Sequence, residues 1–469
     1  MDATSLQTLA GWADGELLRG DGARSLTQVA TDTRKLEPGD LFVALRGESF
    51  DGHDFLNQAA ALGACGAILD TAFEGELPGG DFAVIRVADT VAALGAIAAR
   101  YRATLPLRVV GITGSSGKTS TKDFTAAVLS RRYRVLKTEG NFNNHIGLPL
   151  TLLRASAADE VGVIEMGMNH PGEIAPLAAI AAPELAIITT IGTAHIEFMG
   201  SREAIALEKG RLAEALPAGG ALLLNADNPF AGSLATRTRA ATLLTGVSAD
   251  PAVRLRAEIL ETLFDGTRFR VRDGDDGEGE AVEVSLPVSG VHMVENALLA
   301  LGAGVLLGVP LAEGAIGLAE SRLTRGRLER KTIAGIEFLD DSYNANPDSM
   351  QAALRTLAGL PGSGSRIAIL GRMGELGTEA ERGHRSVGEA AAQAGIDRLI
   401  VVGPEARWIA EAAREAGLGD VEEVADPAEA AHRLSTYVRK GDLVLVKGSR
   451  AARMERLFTY PAFDPALSN

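Results

Sequence analysis

The sequence predicts an α/β protein of three domains, the larger two built on mostly parallel sheets, and three observations carry that prediction. The 469 residues exceed what a single hydrophobic core usually organises. From residue 87 onward, apolar runs of strand length alternate with stretches of helical length, as expected for strands buried on both faces between helices. The 54 glycines, set against only 4% aromatic residues, suit a chain with many tight strand-to-helix turns.

Residues 1–84 read as a small α/β domain with a hairpin-like beginning. Within "TDTRKLEPGDLFVALRGESFDGHDFLNQAAALGACGAILD" the pattern predicts a strand over 41–45, a polar loop, a helix over 53–62 and a strand over 67–69. The Gly/Pro-rich "FEGELPGGD" follows, then the short strand "FAVIRV". Residues 85–324 form a central domain: the helix "TVAALGAIAARYRATL", the strand "LRVVGIT", a glycine turn, the helix "TKDFTAAVLSRRY", then buried strands at "VGVIEM", "ELAIITTI" and "GALLLNAD". Residues 253–287 alternate as β-hairpins do and predict an antiparallel edge on that domain, with "DGDDGEGE" as a solvated acidic turn. The helical pair "VHMVENALLALGAGVLLG" and "LAEGAIGLAES" leads to a boundary near "RLTRGRLERK". Residues 325–469 alternate again, with strands at "IEFLDD", "SRIAILG", "DRLIVVG" and "DLVLVKG", and predict a Rossmann-like domain with its own sheet.

Composition narrows the function. One cysteine, Cys65, excludes an intramolecular disulfide and a cysteine-built zinc site, and its apolar setting marks a small core residue. A formal charge of −15 argues against nucleic acid or an anionic membrane surface as the main partner, while a local Arg/Lys cluster can still hold a small anion. No apolar run reaches the roughly 18 residues of a membrane span, and "MDATSLQTLAGWADGE" has neither a basic leader nor an apolar signal core, so a cytoplasmic protein is expected.

The chemistry begins at "GITGSSGKTST". The strict pattern G-x-x-x-x-G-K-[ST] would place glycine at Ile112, yet Thr113, Gly114, Ser115, Ser116, Gly117, Lys118 and Thr119 keep every functional atom. The stretch ends a strand and opens a helix, where backbone N–H groups and the positive dipole end face phosphate oxygens. Lys118 then reaches the β- and γ-phosphates, and the Thr119 hydroxyl is a natural Mg²⁺ ligand. Glu165 closes the buried strand of "VGVIEM", at the end where open α/β sheets bind ligands. A hard Mg²⁺ prefers oxygen, so Glu165 and Thr119 suit it better than His195, which stands just past "ELAIITTI". Lys209, in "SREAIALEKGRLAEAL", reads from periodicity as the solvated end of an amphipathic helix. Asn141, Asn143 and Asn144 in "LKTEGNFNNHIGLPLTLL" read equally as turn formers or as ligand groups. Arg34 could grip a phosphate bidentately or serve as a surface ion pair. Asp341 and the amides of "LDDSYNANPDSM" could simply cap the following helix.

The T-G-x-x-G-K-T form of the loop resembles that of the Mur ligases and folylpolyglutamate synthetases, and the resemblance extends over essentially the whole chain. It is closest to the branch that joins D-alanyl-D-alanine to UDP-N-acetylmuramoyl-tripeptide, on the evidence of "GNFNNHIGLP", "DDSYNANPDSM" and the G-x-M-x-E-L-G loop. The resemblance implies an ATP-dependent carboxylate-amine ligase, monomeric, using ATP and two Mg²⁺ ions, with a P-loop ATPase-like central domain. It implies that Lys118, His195 and Lys209 are catalytic, that Thr119, Glu165, His195 and Lys209 serve the metals, and that Lys209 is carbamylated, which a lowered amine pKa would permit. It implies a uridine-diphosphate pocket at Asp32, Thr33, Arg34, Gly52 and His53, with Thr138, Asn141, Asn143 and Asn144 at the sugar-diphosphate. Asn296 and Asn346 are implied at the adenine, Asp341 at the ribose with Tyr343 and Asn344 beside it, and Arg327 at the phosphates. Met373, Glu375, Lys447, Ser449 and Arg450 are implied at the dipeptide, the last three at its carboxylate. Two positions depart from the family pattern: Arg372 stands where aspartate is usual, and "HMVEN" has Met293 in place of the commoner asparagine. Alternatives are another Mur-type or folylpolyglutamate-type ligase, or a non-catalytic ATP-binding scaffold; the presence of Glu165, His195 and Lys209 speaks against the scaffold.

Overall fold

The computed structural model describes residues 1–47, 50–247, 252–274 and 281–463. The acidic turn expected within "DGDDGEGE" therefore falls largely outside the described residues. The chain divides into two compact units, one of Met1–Gly111, Tyr133–Gly167 and Gly172–Glu184, the other of Ile112–Arg132, Met168–Pro171 and Leu185–Asn469.

In the first unit a five-stranded sheet runs in the order Glu16–Arg19, Ala83–Val87, Gly66–Asp70, Leu41–Val43, Val29–Ala30, parallel except at the first pair. The strands expected over 41–45 and 67–69 are found as Leu41–Val43 and Gly66–Asp70. The helix expected over 53–62 is split: Gly52–Phe55 is a 3₁₀ turn capped by the Asp51 carboxylate, and Leu56–Ala61 is the α-helix. Asp89 caps the helix Thr90–Ala103 by accepting from Val91 and Ala92 N–H. The strands Val135–Lys137 and Val161–Glu165 pair in parallel, the second buried throughout.

The second unit opens inside the strand Arg108–Thr113 and continues into the helix Lys118–Leu129, which starts three residues before the expected "TKDF". Leu185–Ile188, Ala221–Asn225 and Ala241–Gly246 are parallel neighbours, the first two fully buried, which explains their continuous apolar sequences. Leu255–Leu263, Gly266–Asp273 and Ala281–Leu286 then form antiparallel pairs, as the alternation predicted. A separate six-stranded sheet holds Glu329–Ile333, Ile336–Asp341, Leu443–Lys447, Arg366–Gly371, Arg398–Val402 and Val421–Val424, in that order. Only the edge pair is antiparallel. Phe338 centres its core, meeting Phe458 and Phe463 edge-on with centroids 5.5 and 5.4 Å apart. Such pairs add about 0.5–1.5 kcal/mol beyond area burial. No helix among the described residues is long and apolar enough to cross a membrane.

Candidate active site

The second unit contains the phosphate loop. Gly114 and Gly117 hold positive φ of 152° and 82°, and neither has room for a side chain: a Cβ at Gly114 would lie 1.9 Å from Thr189 Oγ1, and one at Gly117 would lie 2.5 Å from Asn296 Oδ1. Ser115 N–H donates to Thr190 O at 2.8 Å, and Thr189 Oγ1 donates to Ser116 O at 2.6 Å, so the strand Leu185–Ile188 and its continuation brace the loop. Gly117 is the N-cap of the following helix, which leaves that helix's first N–H groups at the loop. Lys118 Nζ donates to Gly114 O at 2.7 Å, curling back over the turn.

Lys209 is the largest departure from the residue pattern. It is wholly buried, and its Nζ has no hydrogen-bond partner among the described residues. The helix Arg202–Lys209 does not end in solvent, because Gly210 keeps right-handed helical angles and Arg211–Glu214 carries the chain onward. Ile205, Lys209 and Leu212 then share the inward face at helical spacing, the signal that a shorter window misses. Burial drives the Lys209 amine well below its ordinary value, and the charge of Lys118 lowers it further.

His195 Nδ1 and Glu375 Oε2 lie 2.5 Å apart, and both residues hold left-handed backbone angles, φ 65° and 59°. Non-glycine residues in that region are held there by their surroundings. Here the surroundings include Glu197 N–H, which donates to Glu375 O at 3.2 Å. Burial, together with the cationic neighbours Lys118 and Lys209, lowers the His195 pKa against the pull of Glu375, whose own value falls through its bond to His195. With Nδ1 directed at a carboxylate, Nε2 is the ring nitrogen left to face a ligand.

Residues 112–304 match the family model described as Mur ligase middle domain, 326–450 that of Mur ligase, glutamate ligase domain, and 25–102 that of Mur ligase family, catalytic domain. The chain is 39% identical to the UDP-N-acetylmuramoyl-tripeptide–D-alanyl-D-alanine ligase of Escherichia coli K12 over 97% of its length and 98% of that protein. The chain belongs to the Mur ligase family. Among solved structures it is similar to MurF from Acinetobacter baumannii, with a TM-score of 0.87, 32% identity and 98% of each chain covered. It is also similar to MurF ligase from Thermotoga maritima in complex with ADP, at 0.81 and 30%, covering 94% of this chain and 97% of that one.

In this Mur ligase the residues around the start of the C-terminal sheet form a second cluster. Arg327 stacks on Tyr343, its guanidinium carbon 4.3 Å from the ring centre. Asn346 caps the helix Pro347–Gly359 in a capping box with Ser349, and its Nδ2 also donates to Ser115 O at 3.4 Å, so the cap reaches the phosphate loop. Lys447, expected at the dipeptide carboxylate, is buried instead on Asp341, at 2.5 Å, and on Asn344 O, at 3.0 Å. That contact gives Asp341 a protein partner. Ser449 is buried with its Oγ unpartnered, its N–H donating to Arg372 O at 2.9 Å, while Arg450 is exposed and pairs with Glu455 at 3.5 Å. Met373 N–H donates to His384 Nε2 at 3.0 Å, tying the loop to the helix Ala380–Gln393.

In the first unit Glu165 ends its strand with both oxygens drawn in. Oε1 accepts from Asn143 Nδ2 at 2.8 Å, and Oε2 is buried without a partner among the described residues. Thr138 is fully buried and accepts from Glu165 N–H at 3.0 Å, fixing the backbone at the end of that strand. Asn144 Oδ1 accepts from Ile146 and Gly147 N–H in the turn that leads into the helix Gly147–Leu152. Arg34 is strongly exposed and forked onto Asp32, leaving it accessible to an anion. Thr33 Oγ1 donates to Gln58 at 3.3 Å. His53 is buried, stacked on Phe73, with Nδ1 2.5 Å from Asp51 and Nε2 accepting from Asp70 N–H. Gly52 is likewise structural, since a Cβ there would lie 2.6 Å from Leu45 N.

Proposed function

We propose that this Mur ligase joins D-alanyl-D-alanine to UDP-N-acetylmuramoyl-tripeptide, consuming ATP, and so completes the soluble pentapeptide precursor of peptidoglycan. The relatives that bear this activity in their names span nearly the whole chain, at 39% identity in Escherichia coli and in Bacillus subtilis. The single observation that carries the chemistry is the buried, unpartnered Lys209 amine in the same unit as the phosphate loop.

A carboxylate does not acylate an amine unaided. The tripeptide's terminal carboxylate oxygen attacks the γ-phosphorus of ATP, the bond from γ-phosphorus to the bridging oxygen breaks, and ADP leaves. The free amine of the dipeptide then attacks the acyl phosphate carbon, loses a proton, and inorganic phosphate departs. The loop N–H groups and Lys118, released from Gly114 O, hold the phosphates and neutralise charge as the phosphoryl group moves. His195, steadied by Glu375, presents Nε2 to the reacting groups.

Magnesium suits the donors present. In the second unit Thr119 offers a hydroxyl at the loop and a carbamate on Lys209 would add anionic oxygens, hard donors of the kind Mg²⁺ takes; in the first unit Glu165 has an oxygen without a partner among the described residues. When bound, Mg²⁺ supplies charge neutralisation at the phosphates. Carbamylation adds CO₂ to the neutral Lys209 amine and releases one proton. We assign residues 1–84 to the uridine-diphosphate end of the substrate, 85–324 to ATP and 325–469 to the dipeptide, in a cytoplasmic monomer.

Phosphate release from ATP with muramoyl tripeptide, measured with and without D-alanyl-D-alanine, tests this. Release is expected to depend on the dipeptide and to be lost in Lys118→Ala. Release that ignores the dipeptide would overturn the reading.

A further inference from the structure

The first turn of the helix Pro347–Gly359 reaches the segment that carries His195. Asp348 Oδ2 accepts from Thr193 N–H at 2.7 Å and from Thr193 Oγ1 at 2.8 Å, between residues 155 apart in the chain. The start of that helix is fixed locally, since Asn346 caps it and Pro347 opens it with a restricted φ, so the backbone that aims Asp348 is pre-organised. The carboxylate lies close against the segment: a Cβ at Gly192 would stand 2.4 Å from Asp348 Oδ2. Glycine at that position is what admits it.

The residues from Thr189 to His195 are anchored one after another. Thr189 and Thr190 brace the phosphate loop through Ser116 O and Ser115 N–H. Ile191 O accepts at 3.0 Å from Arg202, on the helix that ends at Lys209. His195 holds φ 65° with its Nδ1 on Glu375. Between these points Thr193 is held by Asp348, and Thr193 O in turn accepts from Ile196 N–H at 3.3 Å, closing the turn around His195. A non-glycine residue stays at such a φ only when its surroundings over-determine it. Glu375 fixes the ring, and the Thr193–Asp348 bonds fix the backbone leading into it. Both bonds end on a carboxylate, the stronger class of hydrogen bond.

We propose that Asp348 is a positioning residue for His195: by holding both donors of Thr193 it sets the turn over residues 193–196 that aims the imidazole, acting through Thr193 rather than on a reacting atom. The proposal rests on the ligase reading above, in which His195 presents Nε2 to the reacting groups.

The test measures dipeptide-dependent phosphate release and thermal melting for the full-length enzyme and for Asp348→Ala, Asp348→Asn, Thr193→Val and Gly192→Ala. Asp348→Ala is expected to lower kcat by about ten- to a hundredfold, the scale of a displacement near 1 Å at a reacting group. The KM for ATP should move by less than about threefold, because the braces of the phosphate loop at Thr189 and Thr190 do not pass through Asp348. Asp348→Asn keeps an oxygen able to accept both donors and should recover most of the lost rate. Thr193→Val removes the hydroxyl alone; it should cost less than Asp348→Ala and add nothing when combined with it. Gly192→Ala crowds the carboxylate directly and should reproduce the kcat loss. A lower melting temperature with wild-type kcat in Asp348→Ala and Gly192→Ala would mark the contact as structural only and overturn the proposal, as would an asparagine variant as slow as the alanine one. Either result leaves the ligase reading intact. No dipeptide-dependent release by wild type would overturn both.

Discussion

Lys447 Nζ donates to Asp341 Oδ2 at 2.5 Å, joining neighbouring strands of the C-terminal sheet by a buried ion pair whose members are 106 residues apart. Asp341 Oδ1 also accepts from Leu328 N–H at 3.2 Å, just before the strand Glu329–Ile333. Removing one member of a buried pair strands the other charge, at a cost of about 3–5 kcal/mol. Lys447→Met is therefore expected to melt well below wild type. Lys447→Met with Asp341→Asn should recover most of the loss, because asparagine still accepts from Leu328. Thermal denaturation of the three proteins decides it, and a double variant no more stable than the single one would refute the pairing energetics.

Lys118 and Gly117 should fail in different ways. Lys118→Ala leaves the loop backbone in place, so the protein should melt as wild type does while kcat falls by roughly 10²–10³. Gly117→Ala forces a side chain to φ 82° and to within 2.5 Å of Asn296 Oδ1. The cradle itself then distorts, and the KM for ATP should rise at least about tenfold. Steady-state kinetics with ATP varied separates the two outcomes.

The parts of this fold that local pattern can express were readable from the chain. The buried strands at "VGVIEM" and "GALLLNAD" are continuous apolar runs because both faces are covered, and the phosphate loop is contiguous, so its geometry is local. The burial of Lys209, His53 and Lys447 was not readable in the same way. The partners of Lys447 come from a distant segment brought beside it by the sheet, and no sequence window contains both. His53 sits in a "DGHDF" stretch that looks like a polar loop, yet its ring is enclosed by Asp70 and Phe73 from beyond the next helix. Lys209 was named through the family resemblance while periodicity read it as solvated, and its burial was the nearest to being legible, since Ile205 and Leu212 mark its face as inward.

Lys209 should exist as a carbamate when CO₂ is present. Burial lowers the pKa of its amine and so favours the neutral form, the one that reacts with CO₂. Enzyme equilibrated with isotopically labelled bicarbonate is expected to give one protected carbamate resonance, absent in Lys209→Arg. Ligation should fall on CO₂ depletion and return on adding bicarbonate. A wild-type spectrum matching that of Lys209→Arg would remove the carbamate from the mechanism.

Two residues of the helix Val291–Leu306 should shape stability against pH from opposite directions. Burial, reinforced by Asp227, pushes Glu295 up to about 7 from 4.5. For an acid with a raised folded pKa, the stabilisation is complete below the unfolded value and is lost as pH climbs through the folded one, here between about 4.5 and 7. Burial pushes His292 down to about 4 from 6.5, so the native state favours the neutral ring, and that contribution is complete above about 6.5 and lost as pH falls toward 4. A tenfold change in a protonation equilibrium corresponds to about 1.4 kcal/mol, which puts the Glu295 effect on the order of 1–3 kcal/mol at neutral and higher pH. Glu295→Gln should therefore gain stability over wild type near about pH 8 and approach it near about pH 5, whereas His292→Gln should flatten only the acid limb. Melting temperatures across that range, taken for all three proteins, distinguish the two groups; a Glu295→Gln curve parallel to wild type would show that the carboxylate is ionised at no cost.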